Sequence, residues 1–473
     1  MIKHAFVLQD GANQPLYQQV YNHLAEQIRS GQLATGEKLP GKRSLSEALG
    51  VSVNTVDTAY QMLAAEGYLE SRPRSGFFVQ PYTDLVAEPA APAAEASPVR
   101  QEEDAMPHSR FDLSVSGVDT SLFPFRTWGR IQKDLLYSSP ELLSHGHRQG
   151  DIEPRQAIAE YLRAYRGVQC TAGQIVMGAG MEYLLGLLAR LLGGNGQALA
   201  AVENPGYRRS WVIMRNNGVP CHFVDINSGG MDVAALAASG ASIAYVTPSH
   251  QFPTGVTMPA GRRAELLRWA QARPGRYIIE DDYDSEFRFD IRPLPSLQGM
   301  AGPSGPVVYL TTFSKSLSPS IRIACMVLPL PLMERYQAMY GSYSNTVSRF
   351  DQQTLCRFIQ GGHFSRHLAR LRKMYGSRME ALVTALEKAL GPGRVELKGR
   401  HTGLHLLLTL HDGPGEEVMV QRALEQGVSL TGLSSYYMAR SQNCPPNTVV
   451  LGYASLPPED IEPLAQALKA AWG

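Results

Sequence analysis

A chain of 473 residues exceeds one ordinary hydrophobic core and points to roughly two or three domains. Its 44% hydrophobic and 18% charged content is that of a soluble protein, and a formal net charge of +1 excludes a global field that would draw it to nucleic acid. Five scattered cysteines without a CxxC pair, no apolar run of membrane-spanning length and no apolar stretch behind the first residues lead us to expect a reduced, cytoplasmic protein with no signal peptide and no bound metal.

The first elements fall between about residues 10 and 80. Pro15 to Ser30 carries Leu16, Val20, Leu24 and Ile28 four apart, the spacing of one helix face, and Gly31 stops it. A second short helix runs from Arg43 to Leu49 and ends at Gly50. Ser52 or Asn54 caps a third that continues to about Glu66. Two strands, at 68–70 and 77–79, then flank Arg72-Pro73-Arg74-Ser75-Gly76. Helix, short turn, helix is a way of presenting side chains to a major groove. Lys42 and Arg43 are candidates for phosphates, Ser44, Ser52, Asn54 and Thr55 for base edges and phosphates, and Arg72 and Arg74 flank a tight hairpin suited to a groove. Residues 1–80 hold seven Lys/Arg and seven Asp/Glu, so on charge alone a protein-binding helical domain is an equal reading.

Five prolines and seven alanines mark 81–107 as an extended linker, and full extension would carry it about 90 Å. Beyond it, 108–473 alternates strands and helices. Strands are expected at 175–177, 198–202, 243–246, 277–280 and 307–310, with helices at 181–192 and 260–272 among those between. That is an α/β fold with a mostly parallel sheet, followed from about residue 350 by a smaller α+β lobe.

Two segments of this part carry chemistry. Lys315 stands in Thr311-Thr312-Phe313-Ser314-Lys315-Ser316-Leu317-Ser318-Pro319-Ser320-Ile321-Arg322, and Ile279-Glu280-Asp281-Asp282-Tyr283 lies upstream. A lysine amine that captures an aldehyde, a carboxylate that holds a pyridine nitrogen protonated and a phenol for the ring oxygen are what pyridoxal 5'-phosphate (PLP) requires. Asp281 ends an apolar strand, where α/β sheets put their ligands, but Asp282 and Asp284 fit the same description. Gly178-Ala179-Gly180-Met181 joins a strand to a helix whose free amides suit a phosphate. Tyr207, after Glu203-Asn204-Pro205-Gly206, offers an aromatic face. Taken singly, each has a plainer reading: a solvated lysine, a tight turn, a core tyrosine.

The residues also carry a resemblance. Residues 14–79 resemble the GntR winged helix-turn-helix, with Leu39-Pro40-Gly41-Lys42-Arg43, then Leu49-Gly50-Val51-Ser52-Val53-Asn54-Thr55-Val56, then Glu66-Gly67-Tyr68. Gly41 replaces the usual serine, and Val53 an arginine that commonly contacts DNA. Residues 111–473 resemble fold-type I aminotransferases, and the joined architecture is similar to the MocR subfamily of GntR regulators, which has GABA-responsive and pyridoxine-responsive members. The segments 280–288, 312–317 and 361–367 are the most specific for it. The resemblance implies Lys315 as imine lysine, Asp281 as pyridinium partner, Tyr283 as phenol donor and Tyr207 as stacking residue. It implies a phosphate clamp from Thr312, Ser314, Arg322 and the amides of Gly180 and Met181.

Two departures bear on function. Phe252 stands where the aminotransferase Asn-Pro-Thr-Gly turn has its asparagine, leaving His250 or Gln251 to replace that contact. Val450 stands where amino-acid-binding relatives carry an arginine for the α-carboxylate, leaving Arg209, or Arg440, as the substitute effector contact. The expectation is a transcription regulator that binds paired DNA half-sites as a homodimer, with each reader swapped toward the partner. Its aminotransferase-like domain serves as a sensor with PLP as effector. The competing readings are an amino-acid sensor acting through exchange at Lys315 and a working aminotransferase.

Overall fold

The computed structural model describes residues 8, 14–81, 109–194, 196–289 and 294–473. The chain forms two compact units, Met1–Asp104 and Ala105–Gly473. Of the stretch 81–107 only Pro81 is among the described residues, and Asn195 and 290–293 lie outside them as well.

The first unit holds helices Leu16–Arg29, Lys42–Leu49 and Val53–Ala65 and an antiparallel hairpin, Leu69–Arg72 with Gly76–Val79. Val20, Leu24 and Ile28 are buried as their spacing requires, against Leu45, Val56, Tyr60, Leu63 and Phe77. Leu16, the first residue of that face and of the helix, is 38% exposed among the described residues. Ser52 is the cap of the third helix: its hydroxyl accepts the Thr55 amide at 3.1 Å. Gly50 ends the second helix at φ 68°, a left-handed geometry that favours glycine.

The second unit is built on an eight-stranded sheet. Its strand order is Ile175–Gly178, Ala324–Val327, Val307–Thr312, Tyr277–Asp282, Ile243–Val246, Ala200–Asn204, Cys221–Asn227 and Gly230–Met231. The middle strands run parallel, while Ala324–Val327 is antiparallel to both neighbours. Expected and observed strands coincide to within two residues at most edges; the strand expected from 198 begins at Ala200. Apolar side chains fill both faces, with Leu184, Val202, Ile279, Leu310 and Met326 on one and Val246, Leu266, Ile278 and Val307 on the other. Parallel strands covered on both faces read as continuous apolar runs, as these do.

A four-stranded antiparallel sheet, Val395–Lys398, His405–Leu410, Thr448–Gly452 and Thr431–Gly432, forms the smaller lobe against helices His363–Leu390 and Ile461–Trp472. The strand Phe111–Asp112 joins this lobe by parallel pairing with Val428–Ser429. Immediately after it, Gly452 donates its amide to the Leu113 carbonyl at 2.8 Å. A Cβ at Gly452 would lie 2.3 Å from the Ser114 carbonyl oxygen, so the close approach of these two segments needs glycine. Gly452→Ala should therefore push the 113–115 segment away and lower stability by about 1–3 kcal/mol in urea unfolding. An unchanged midpoint would show that this approach is not constrained.

Candidate cofactor site and DNA-reading helix

The Tyr277–Asp282 strand delivers two neighbouring carboxylates at its carboxyl end, and strand alternation sends them to opposite faces. Tyr245 pairs in register with Ile279, on the face of Asp281, and its hydroxyl donates to Asp281 Oδ2. Tyr309 pairs with Glu280, on the face of Asp282, and its hydroxyl donates to Asp282 Oδ2 at 2.5 Å. Arg166 Nε lies 2.6 Å from that same oxygen, in an ion pair buried on both sides. Burial pushes the Asp282 carboxyl up, but Arg166 and the Ser285 and Tyr309 hydrogen bonds outweigh it and hold the group below the ordinary range. Asp281 has no such cation. Burial, aided by Asp282 and Asp284, pushes its carboxyl up to about 7, and its Oδ1 is buried without a hydrogen-bond partner.

A lone buried carboxylate oxygen of this kind fits a protonated ring nitrogen, which would supply both the missing donor and the missing positive charge. Asp282 Oδ1 is likewise buried without a partner, but Arg166 already neutralises the charge of that carboxylate, and Asp284 Oδ2 is engaged by His250 at 2.8 Å. When bound, PLP would supply an electrophilic aldehyde carbon and an electron-withdrawing ring.

Lys315 follows the Val307–Thr312 strand in the adjoining turn. Its Nζ donates to the carbonyls of Val115 at 2.6 Å, Ser116 at 3.0 Å and Gly117 at 3.4 Å. Burial lowers the Lys315 amine to about 8, against an opposing pull from Asp284, so an appreciable fraction is neutral near physiological pH, as imine formation needs. Thr312 Oγ1 and Ser314 Oγ lie 2.8 Å apart beside it.

The residues expected to hold a phosphate differ in what their polar atoms already bond. Met181 opens helix Met181–Gly193, and amides of a first turn lack intrahelical partners. The Gly180 amide is different, since it donates to the Gly178 carbonyl at 2.8 Å. Gly180 matters instead for space: at φ 98° a Cβ there would sit 2.4 Å from Arg322 Nη2. Arg322 itself lies 3.7 Å from Glu182 Oε2, and Arg209 Nη1 lies 2.6 Å from Glu182 Oε1. Glu182 thus holds both arginines. Tyr207 meets Phe252 edge-on, ring centroids 6.0 Å apart, and Phe252 also packs edge-on against Tyr283 and Tyr436. Val450 lies at the centre of its strand, buried with Leu407 and Leu433, with Val115 and Tyr436 packed against them. Arg440 is exposed.

Sequence reasoning missed Arg166, Tyr245, Tyr309, Glu182 and the carbonyls of 115–117. None has a spacing signal; each meets its partner through the fold. Loss of Arg166 would strand the Asp282 charge. Arg166→Met should cost about 3–5 kcal/mol of stability in urea unfolding, and a change below about 1 kcal/mol would deny the pair that role.

On the first unit, Ser44, Ser52 and Asn54 are exposed, while Ser52 and Thr55 hydroxyls bond each other at 2.8 Å as part of the cap. Lys42 is committed to Asp57 at 2.5 Å, and Arg72 to Glu70 at 2.9 Å with its guanidinium over Phe78. Arg43 and Arg74 are exposed, Arg74 at φ 63° in the hairpin turn. Arg43→Ala and Arg74→Ala should each make the slope of log affinity against log salt shallower by about 0.9, and Lys42→Ala by less. Equal effects for all three, measured by fluorescence anisotropy, would show that the ion pair does not hold Lys42 back.

Comparison with known proteins agrees with both halves. Residues 16–79 match the family of bacterial regulatory proteins, gntR family, and residues 112–468 match aminotransferase class I and II. An uncharacterised HTH-type transcriptional regulator of Bacillus subtilis, YdeL, is 38% identical over 97% of each chain. The probable rhizopine catabolism regulatory protein MocR of Rhizobium meliloti is 32% identical over 98% of this chain and 95% of its own. The pyridoxine biosynthesis regulator PdxR of Corynebacterium glutamicum is 32% identical over 91% of both. Among solved structures, the α-aminoadipate aminotransferase LysN of Thermus thermophilus, bound to N-(5'-phosphopyridoxyl)-L-leucine, superposes with a TM-score of 0.66 at 26% identity, over 76% of this chain and 91% of its own. Among the described residues no helix is long and apolar enough to cross a membrane.

Proposed function

This chain belongs to the HTH-type transcriptional regulators that join a gntR-family DNA-binding domain to an aminotransferase class I and II domain, MocR and PdxR among its relatives, and we propose that it couples PLP bound at Lys315 to operator binding. In this reading Lys315 bonds the aldehyde carbon and Asp281 meets the ring nitrogen. Tyr283 serves the ring oxygen and Tyr207 the ring face. Met181, Thr312, Ser314 and Arg322 would hold the phosphate, with Arg322 exchanging its contact to Glu182 for it.

The observation that carries PLP as signal is the wall beside the lysine. Val450, Leu407, Leu433 and Val115 make it apolar, and Val115 is the residue whose carbonyl holds Lys315. Among the described residues of that wall an amino acid meets no guanidinium for its carboxylate, and losing such a charge-assisted contact forfeits about 1.5–3 kcal/mol. The second reading, an amino-acid effector, is favoured by Arg209, whose side chain is 70% exposed and is held by Glu182.

Transmission starts from the same contact. A lysine nitrogen bonded to the cofactor has at most one proton left to donate, so it gives up bonds to the 115–117 carbonyls at the start of the second unit. The aminotransferase-like fold is typically dimeric. Phe125, Leu136, Tyr137 and Leu143, each at least 60% exposed, give this unit apolar surface to bury against a second copy. Two readers per dimer imply paired half-sites, with each reader placed toward the partner subunit in the arrangement we favour.

Operator affinity should differ between apo and PLP-loaded protein, and an amino-acid panel should change the loaded form no further. Lys315→Ala should lose the borohydride-trapped adduct and the PLP response together. If apo and loaded forms bind alike and one amino acid alone alters binding, PLP is not the signal and the second reading takes its place.

A further inference from the structure

Beside Tyr283 lies a group of buried polar side chains, His250, Asp284 and His405, 1%, 2% and 3% exposed. His250 Nδ1 is 2.8 Å from Asp284 Oδ2 and 3.0 Å from the Tyr283 hydroxyl. The phenol also donates to the His250 carbonyl at 3.1 Å. A carboxylate offers only lone pairs, so the proton between His250 and Asp284 belongs to Nδ1. An Nδ1–H forked between Asp284 and the phenol oxygen leaves the phenol's own proton on the weak bond to the His250 carbonyl, from which it can turn to a ring oxygen.

The surroundings fix this imidazole. A Cβ at Gly403 would lie 1.8 Å from His250 Cε1, so the ring fills the space that residue leaves. His405 donates Nε2 to the Pro253 carbonyl at 2.9 Å, and its ring centroid is 4.7 Å from that of His250. Burial, with His250 and Lys315 adding to it, holds His405 well below the ordinary histidine range, so it stays neutral. The rest of the turn has nothing to give the phenol. Phe252 has no polar side-chain atom, and Gln251 spends its amide on the carbonyls of Pro205 and Phe252 and its oxygen on Thr254.

We propose that His250, anchored by Asp284, is a positioning residue for Tyr283: by donating to the phenol oxygen it makes Tyr283 a stronger donor to the ring oxygen of PLP. The inference rests on PLP being held at Lys315. Hydrogen bonds in a chain polarise one another, and a buried site enlarges the effect. A stronger bond to the ring oxygen favours its anionic form. That in turn favours loss of the proton on the nitrogen linking Lys315 to the cofactor. The other ionisable groups facing the phenol are Asp284, Asp281, Glu203 and Asp282, which with burial push it well above its ordinary range. On the lysine side Asp284 faces the amine. A change at His250 also takes from Asp284 its hydrogen-bond partner, which is why a variant that keeps an N–H belongs in the test.

The test is a double-mutant cycle read from the pH titration of the lysine-linked chromophore, whose two protonation forms absorb differently. His250→Phe and Tyr283→Phe should each raise the titration midpoint by about one pH unit, a tenfold change. The double variant should shift no further than Tyr283→Phe alone. His250→Gln, which keeps an N–H and is less disruptive to folding, should recover part of the wild-type midpoint. Additive shifts, or no shift in either His250 variant, overturn the proposal. So does stoichiometric zinc binding that moves the wild-type titration, since His250, Asp284 and His405 offer ligand atoms within 4.8 Å of one another. If wild-type protein fails to trap PLP on Lys315 with borohydride, the cofactor assignment falls and this inference with it. Normal trapping with an additive cycle sinks only the role of His250.

Discussion

Two adjacent carboxylates buried at one strand end are the constraint around which the second unit is organised. Asp281 and Asp282 are both less than 5% exposed, and two like charges so placed cannot both remain ionised without help. The fold pairs the buried Arg166 directly with Asp282 and gives Asp281 a tyrosine hydroxyl. The asymmetry leaves a carboxylate whose second oxygen needs a cationic donor. A buried carboxylate oxygen without a partner costs free energy, and a cationic donor would remove that cost.

That asymmetry also explains what was legible in the sequence. The apolar runs at 243–246, 277–280 and 307–310 mark strands because a parallel sheet buries both faces, and their ends locate Asp281 and Lys315. Alternation tells that Asp281 and Asp282 face opposite ways, but not which of them meets Arg166, which comes from a helix more than a hundred residues earlier. The same limit applies to Lys315. Its neighbours 115–117 sit about two hundred residues away in sequence and offer only backbone carbonyls, which no motif records.

Charge was legible only as composition. Lys42 and Arg72 read as free cations in a neutral domain, yet each is matched by an acid on the same small fold, Asp57 and Glu70. Exposed pairs of this kind contribute about 0–1 kcal/mol to stability. Their consequence lies in recognition: an arginine or lysine already neutralised must exchange one partner for another before it can release a counterion from DNA. Gly180 shows the converse error. Its glycine was read for an amide that could bind phosphate, whereas the structure uses the missing side chain to admit Arg322.

The size of any signal is bounded by the contacts that differ between two states. In the structure Lys315 gives three hydrogen bonds to the segment that follows Phe111–Asp112, and that segment is braced by Gly452 of the small lobe. Hydrogen bonds from a charged donor contribute about 1.5–3 kcal/mol each, but water replaces part of what is lost, so the net coupling falls nearer the 1–3 kcal/mol usual between linked sites. That corresponds to roughly a 5- to 150-fold change in affinity. Reciprocity follows: whatever PLP does to operator affinity, the operator does to PLP affinity by the same factor. Under the proposed reading, the buried Asp281 oxygen short of a cation and a lysine held by backbone carbonyls are the contacts through which occupancy would act on the rest of the unit.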